Sequence, residues 1–252
     1  TGHLQAEDGR HFGYQVTFFR VGLKPPAEQE QDSTWSQNVV WMAHVALTDI
    51  QQQQHYFAEK LARDGVGHAG VSTQPLSVWL DNWQLDYDAT QDQWFLDVAT
   101  DNFSFNLALT SQKPPVLQGD KGLSQKSPKV GNASYYYSLT RMAAVGEVTV
   151  NGEELAVTGT SWLDREWSTS ALDDDQVGWD WFSLQLDRGQ DLMFYQLRKQ
   201  DGSQHPSSKG VWVAVDGSSE LISAEQLTLI PQRFYEHKEG RAYPVEWLLE
   251  YA

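Results

Sequence analysis

Residues 159–167 read Gly-Thr-Ser-Trp-Leu-Asp-Arg-Glu-Trp, and the last six of these positions hold two indoles, two carboxylates and one guanidinium. Val157 and the threonines at positions 158 and 160 favour extended structure, so the run predicts a β-strand. Side chains alternate between the two faces of a strand. The even-numbered positions therefore share one face: Trp162, Asp164 and Glu166. We expect this face to carry a pair of acids beside an indole.

Short extended segments broken by turn residues recur on both sides of this run. The Asn151-Gly152 pair is typical of a tight hairpin turn. Regular spacing of this kind predicts an antiparallel meander that closes into a barrel or a sandwich. The predicted strands are residues 3–23, 38–49, 77–85, 94–100, 103–110, 135–143, 146–150, 154–167, 179–187, 191–199, 210–215, 224–229 and 243–251.

Two segments between the predicted strands have a different character. Phe57 and Leu61 stand four positions apart, as on one face of a helix, so residues 51–64 predict a short helix. Residues 112–132 are rich in Lys, Pro, Gly and Ser and predict the longest loop.

The composition excludes several classes of partner and site. Thirty-four acidic and eighteen basic residues give a formal net charge of -16, which repels nucleic-acid backbones. The absence of cysteine excludes disulfides, thiolate nucleophiles and cysteine-ligated zinc. The longest apolar run, residues 39–47, is too short to span a membrane as a helix. Because the chain begins at Thr1 without a methionine or a signal-like segment, we expect that a targeting peptide was removed or left out.

Common catalytic motifs find little support in this sequence. Residues 65–70 match Gly-x-Gly-x-x-Gly, but a dinucleotide site needs a strand before the motif and a helix after it, and here the predicted helix comes first. The seven histidines are scattered, without a pair at ligand spacing, so we expect no metal site and no cofactor. His44 lies in an apolar strand, where a core histidine is a more common interpretation than a catalytic one.

The strongest candidate for chemistry is the pair formed by Asp164 and Glu166. Two carboxylates on one face resist simultaneous ionisation once they are desolvated, so one of them becomes a proton-donating acid. The alternative is a structural ion pair, in which Arg165, Arg141 or another cation neutralises them. The neighbouring tryptophans either line an apolar cavity or fill a core.

A second strand offers polar groups to this pair. Residues 135–141 read Tyr-Tyr-Tyr-Ser-Leu-Thr-Arg and place Tyr137 and Arg141 on one face. From the strand order alone, we expect a phenol and a guanidinium to reach the acidic cluster.

A series of short segments runs in a fixed order through most of the chain. The segments are residues 1–4 (Thr-Gly-His-Leu), 9–15 (Gly-Arg-His-Phe-Gly-Tyr-Gln), 17–20 (Thr-Phe-Phe-Arg), 43–49 (Ala-His-Val-Ala-Leu-Thr-Asp), 136–141 (Tyr-Tyr-Ser-Leu-Thr-Arg), 161–167 (Ser-Trp-Leu-Asp-Arg-Glu-Trp) and 178–182 (Gly-Trp-Asp-Trp-Phe). Each segment alone is weak evidence for a family, but the ordered set resembles the AttH-like group. That group is related to the carotenoid 1,2-hydratases, also called hydroxyneurosporene synthases.

The resemblance implies an all-β protein with two antiparallel lipocalin-like β-barrel domains in tandem and one short helix in the first. An acidic turn at residues 173–175 places the boundary near Leu172, which gives domains at residues 1–172 and 173–252. Members of the group carry an aromatic-rich segment before Thr-Gly-His-Leu and a longer second domain. We therefore expect the second domain to be incomplete here.

Two functions follow from the resemblance, both without a cofactor. The first is binding of an apolar lipid or isoprenoid-like molecule in a barrel or an inter-domain cleft, as an accessory to a transport system. The alternative is a hydro-lyase that adds water to an isoprenoid or carotenoid double bond by acid catalysis. The proposed catalytic residues are Asp164, Glu166, Tyr137 and His44. The proposed substrate-binding residues are Trp162, Trp167, Trp179, Trp181 and Arg141.

The resemblance also bears on location and partners. Many members of the group are described as secreted hydrolases or as companions of a transport system. We therefore expect a periplasmic protein, or one held at the membrane by a lipid anchor, with a peripheral membrane or transporter association and no nucleic-acid partner.

Overall fold

The computed structural model describes residues 1–24, 38–65, 67–168 and 172–251. Within these ranges the chain forms nineteen β-strands and no α-helix, which confirms the all-β prediction. The strands are β1 (Gly2–Ala6), β2 (His11–Gly22), β3 (Val39–Asp49), β4 (Gln54–Arg63), β5 (Ala69–Thr73), β6 (Leu76–Leu80), β7 (Trp83–Asp88), β8 (Gln93–Ala99), β9 (Phe103–Ser111), β10 (Val116–Leu117), β11 (Leu123–Gln125), β12 (Ala133–Val150), β13 (Glu153–Ser168), β14 (Gln176–Gln185), β15 (Asp191–Lys199), β16 (Lys209–Val213), β17 (Ser219–Ser223), β18 (Leu227–Glu236) and β19 (Ala242–Tyr251).

The helix predicted at residues 51–64 is wrong, because this segment supplies strand β4. β4 pairs antiparallel with β3 along its whole length. Phe57 and Leu61 are both exposed on one side of β4. A spacing of four places two side chains on the same side of a helix and also of a strand, so this signal does not separate the two. Pairing with β3 then decides the outcome.

The chain divides into two compact units that are both discontinuous in sequence. Unit 1 comprises residues 1–112 and 141–162, and unit 2 comprises residues 113–140 and 163–252. Unit 2 thus includes residues 113–140, which the sequence analysis placed before its domain boundary. The domain boundary near Leu172 stays a prediction.

Unit 1 is built on one antiparallel sheet in the order β4-β3-β2-β1-β13-β12-β9-β8-β7-β6-β5. Buried and half-buried residues alternate along β3, because one of its faces lies in the core. The buried residues of β3 are Val39, Trp41, Ala43, Val45, Leu47 and Asp49. Asn151 and Gly152 have positive φ angles of 52° and 81°, the backbone that a tight two-residue hairpin turn needs between β12 and β13.

Unit 2 contains a four-stranded antiparallel sheet in the order β14-β15-β16-β17. One face packs against the β18–β19 hairpin through Leu192, Phe194 and Ile222, which meet Leu227 and Leu229. The opposite face carries Val211 and Val213, which pack against Val116 of β10. The four-stranded sheet is therefore covered on both faces within unit 2.

The segment predicted as the longest loop, residues 112–132, contains two short strands. β10 pairs with β12 at Leu117 and Tyr137, and β11 pairs with it at Leu123 and Tyr135. β10 and β11 therefore belong to the same large sheet as β12, which they join along the first half of β12, in unit 2. The candidate functional site lies on this sheet.

Candidate functional site

The carboxylate of Asp164 is hydrogen-bonded to two hydroxyl groups of β12. The Tyr136 hydroxyl donates to Asp164 Oδ1 at 2.9 Å, and Ser138 Oγ donates to the same oxygen at 2.5 Å. Tyr136 and Ser138 are buried, whereas Asp164 is exposed. A charged group at the surface is thus held by donors that are fixed in the interior.

Two further side chains fix these donors. Gln118 is fully buried and donates from Nε2 to Ser138 Oγ at 2.9 Å, so the Ser138 proton is directed to Asp164. The indole Nε1 of Trp181 donates to the Tyr136 hydroxyl at 3.2 Å. Because each hydroxyl accepts one hydrogen bond and donates another, its orientation is set by the surrounding strands.

The phenol of Tyr136 is held in its neutral form. Burial raises the pKa of Tyr136 well above its usual range, and the negative charge of Asp164 raises it further, while the hydrogen bond from Trp181 acts in the opposite direction. Tyr136 therefore serves as a hydrogen-bond donor at neutral pH and not as a base.

Glu166 has a different environment from Asp164. Its Oε1 accepts a hydrogen bond from Ser134 at 2.5 Å and lies 3.0 Å from Nζ of Lys126. The expectation that the two acids share a face is confirmed, since Ser134 and Ser138 stand on the same side of β12. For Glu166 the structural ion pair is present, and Lys126 is its cation.

Tyr137 and Trp167 lie on the other side of the same two strands. Their rings contact each other at a centroid distance of 6.4 Å, and the Tyr135 ring lies 5.9 Å from that of Trp167. The Arg165 guanidinium lies 5.9 Å from the same indole. The phenol that reaches Asp164 is therefore Tyr136, which sequence reasoning missed, and the placement of Tyr137 beside the acids is corrected.

Three predicted site residues belong to unit 1. His44 is half-exposed on β3 and contacts Phe19, Phe57 and Glu59, so it is not the core histidine that the sequence favoured. Trp162 is buried, and Arg141 lies on β12. Their roles in a site stay predictions.

Trp179 and Trp181 extend the aromatic surface of unit 2. They stand two residues apart on β14, so they share one face of that strand, and 54% and 36% of their surfaces are exposed. Phe182 points the other way, into the core. Asp164, Tyr136 and Ser138 form the hydrogen-bonded group that we call the Asp164 cluster. Trp181 connects the exposed aromatic face to this cluster through its hydrogen bond to Tyr136.

Each unit has an open cavity lined by described residues. The cavity of unit 1 measures about 490 Å³ and is bordered by Lys60, Asn82 and Trp83. The cavity of unit 2 measures about 320 Å³ and is bordered by Leu117, Val211 and Leu221. Neither includes a residue of the Asp164 cluster.

No group of three or more His, Asp or Glu side chains with the arrangement of a metal site occurs among the described residues. Within the described ranges no helix has the length and hydrophobicity of a membrane span.

The antiparallel sheets define an all-β protein, and this fold is similar to that of lipocalin-like AttH structures. The chain belongs to the AttH-like family, whose model matches residues 1–252. A crystal structure described as a candidate AttH from Nitrosomonas europaea is 32% identical, with a TM-score of 0.90 over 100% of this chain and 75% of that one. Kievitone hydratase from Nectria haematococca shares the fold, with a TM-score of 0.71 and 15% identity over 100% of this chain and 71% of that one. Among curated proteins, none matches this chain in sequence.

Proposed function

We propose that this protein is a cofactor-independent hydratase that adds water to a carbon–carbon double bond of an apolar, isoprenoid-like molecule. The observation that carries this proposal is the pair of hydrogen bonds from Tyr136 and Ser138 to one oxygen of Asp164, beside the indole of Trp181. The fold shared with kievitone hydratase, a hydratase by its description, supports it.

The two hydrogen bonds hold the carboxyl group of Asp164 in one orientation, because Oδ1 accepts from both hydroxyls. In the proposed reaction the neutral acid form of Asp164 donates its proton. Transfer of that proton to an alkene carbon forms a C–H bond from the π electrons and leaves a carbocation at the neighbouring carbon. The carboxylate left behind is stabilised by Tyr136 and Ser138, which is an interaction that strengthens as charge develops.

Water then completes the reaction. A water molecule attacks the carbocation, forms the new C–O bond and returns a proton to Asp164, so the sum is alkene plus water to alcohol. General acid catalysis of this kind contributes about 10² to 10⁴ in rate. The acid must be neutral before the transfer, and an apolar substrate lying over Asp164 favours the neutral form by excluding water.

The exposed indoles provide the surface for such a substrate. Trp179 and Trp181 present adjacent aromatic rings next to the Asp164 cluster. An aromatic face attracts a cation with about 2 kcal/mol or more when the cation is desolvated. The same rings therefore bind the apolar chain and stabilise the carbocation.

A second candidate function is binding of the same apolar molecule without chemistry. The exposure of Trp167, Trp179 and Trp181 favours it, because these rings suit an apolar ligand whether or not an acid is present. This is the carrier role that the family resemblance implies.

One experiment separates the two functions. Wild-type protein is incubated with isoprenoid alkenes in water labelled with oxygen-18, and ligand and product are analysed by mass spectrometry. The hydratase predicts a product that gains one labelled water, absent with Asp164→Asn and retained with Asp180→Asn, a matched control whose carboxylate pairs with Arg198. A ligand that stays bound and unchanged in all three proteins would establish the carrier, and equal product from wild type and Asp164→Asn would exclude Asp164 as the acid.

A further inference from the structure

Two lysines of unit 2, Lys126 and Lys209, stand beside the buried phenol of Tyr195. Lys126 Nζ lies 4.1 Å from the centroid of the Tyr195 ring. Lys209 is directly opposite Tyr195 in the β15–β16 ladder. Residues opposite each other in an antiparallel ladder extend their side chains to the same face, so Lys209 also flanks Tyr195. Lys209 therefore extends from the same sheet face as the Tyr195 ring that Lys126 contacts.

The rest of the site is polar and well fixed. The Tyr195 hydroxyl is hydrogen-bonded to Ser124 Oγ at 2.9 Å, and Ser124 is fully buried. The backbone carbonyl of Lys126 accepts a hydrogen bond from buried Gln176. Because these supports lie in the interior of unit 2, Lys126 is held in place without a ligand.

The charges of the two lysines are only half balanced. Lys126 forms an ion pair with Glu166 at 3.0 Å. No acidic side chain among the described residues forms an ion pair with Lys209. Burial lowers the pKa of Lys209. The positive charge of Lys126 lowers this pKa further, because like charges repel each other. In a chain with nearly twice as many acidic as basic residues, a lysine without an acidic partner points to an external anion.

We propose that Lys126 and Lys209 form a binding site for a small oxyanion, a carboxylate or a phosphate, beside the ring of Tyr195. An anion between the ammonium groups supplies the missing negative charge and relieves their mutual repulsion. Hydrogen bonds between charged donors and oxyanions are about twice as strong as neutral ones. The site would hold the polar head of a ligand, or a free anion.

The test is calorimetric titration of the full chain with inorganic pyrophosphate and, separately, with succinate, against sodium chloride of equal ionic strength. Wild type is expected to bind one of them, which identifies phosphate or carboxylate as the head group. Lys209→Gln is expected to weaken that binding about tenfold, the effect of losing one charge-assisted hydrogen bond. Lys209→Met, which keeps the packing of the side-chain stem, is expected to give the same loss.

Lys129→Gln is the matched control, because Lys129 is an exposed lysine of the same unit. Its affinity should stay within about twofold of wild type, as for a surface charge. Absence of binding of both anions to wild type overturns the site, and so does an affinity that both Lys209 variants share with wild type. Neither result touches the hydration proposal, which rests on Asp164 and is tested by product formation.

Discussion

Two acids of unit 2, Asp164 and Asp191, receive hydrogen bonds from neighbouring hydroxyls on the same face of β12. Ser138 donates to Asp164, and Thr140, two residues along, donates to Asp191 at 2.9 Å. Asp191 is fully buried and lies 2.7 Å from Nζ of Lys113, which is itself buried. Asp164 is exposed and is held by the phenol of Tyr136.

The comparison shows that similar hydrogen bonds from a hydroxyl to a carboxylate have different consequences for a buried acid and for an exposed one. A buried carboxylate is stable only with a cation and hydrogen bonds around it, so Asp191 contributes to the fold. An exposed carboxylate is hydrated in any case, so the buried donors of Asp164 are not needed to solvate it. In the proposed hydratase these donors position the carboxyl group of Asp164 and stabilise the negative charge that develops on it.

The largest expected effect comes from breaking the buried pair. Lys113→Met leaves the Asp191 charge buried without Lys113 and should lower the free energy of unfolding by about 3–5 kcal/mol. The matched change Lys126→Met leaves Glu166 with 41% of its side chain exposed to water, so we expect a loss of about 1 kcal/mol or less. Urea denaturation of both variants measures the difference. Equal losses would show that the difference in burial between Asp191 and Glu166 does not determine the cost of losing the paired lysine.

The second prediction concerns the phenol. Tyr136→Phe removes a donor that stabilises the Asp164 carboxylate and should lower turnover about 10²-fold. Tyr14→Phe is the control, because Tyr14 is also buried, with a pKa raised to about 12 by burial against the opposing effect of its 2.5 Å hydrogen bond with Ser161. Steady-state kinetics should show little change for Tyr14→Phe. Equal rates for both variants would mean that the Asp164 contact has no catalytic role.

The third prediction compares the two hydroxyls of β12. Thr140→Val removes a hydrogen bond from a buried carboxylate and should cost about 1–3 kcal/mol of stability. Ser138→Ala should affect stability less, because water can reach Asp164, and turnover more. Thermal unfolding and kinetics on the same preparations test this reversal. A greater stability loss in Ser138→Ala than in Thr140→Val would contradict it.

The smallest expected effect is a pH dependence at Asp180, an acid of unit 2 that lies near Arg198. Burial raises the pKa of Asp180, and Arg198 opposes this in part. A raised pKa in the folded state means that folding favours the protonated form, so this contribution to stability is complete at low pH and is lost as pH rises through the folded pKa. Asp180→Asn stays neutral and should gain stability relative to wild type between about pH 3 and pH 7, by about 1 kcal/mol or less. A lower stability of Asp180→Asn than of wild type over that pH range would contradict this prediction.

The alternation of side chains was readable from the sequence, but the pairing of strands was not. Period-two patterns predicted most strands of unit 1 and the shared face of Asp164 and Glu166. Tyr136 and Tyr137 are adjacent phenols, and which of them meets Asp164 depends on register, since a slip of one residue exchanges the faces. A sequence without the register therefore cannot choose between them.

Other features depended on contacts between distant segments. Gln118 and Lys126 fall in the segment that composition marked as a loop, and only pairing of β10 and β11 with β12 brings them to the site. The serines at positions 134 and 138 share the parity of Tyr136, which was the one signal that pointed to the polar face. The helix error at β4 has the same origin, because pairing with β3 outweighed the local pattern.

The most direct test of the distinction between reactive and structural acids is the turnover of Asp164→Asn set against that of Glu166→Gln, with the fold of both checked by circular dichroism. We predict that Asp164→Asn loses at least about 10² in turnover more than Glu166→Gln, because Asp164 is held by two hydroxyl donors beside the indole of Trp181, whereas Glu166 is paired with Lys126. Equal losses, or a larger loss in Glu166→Gln, would contradict the assignment of Asp164 as the proton-transfer group.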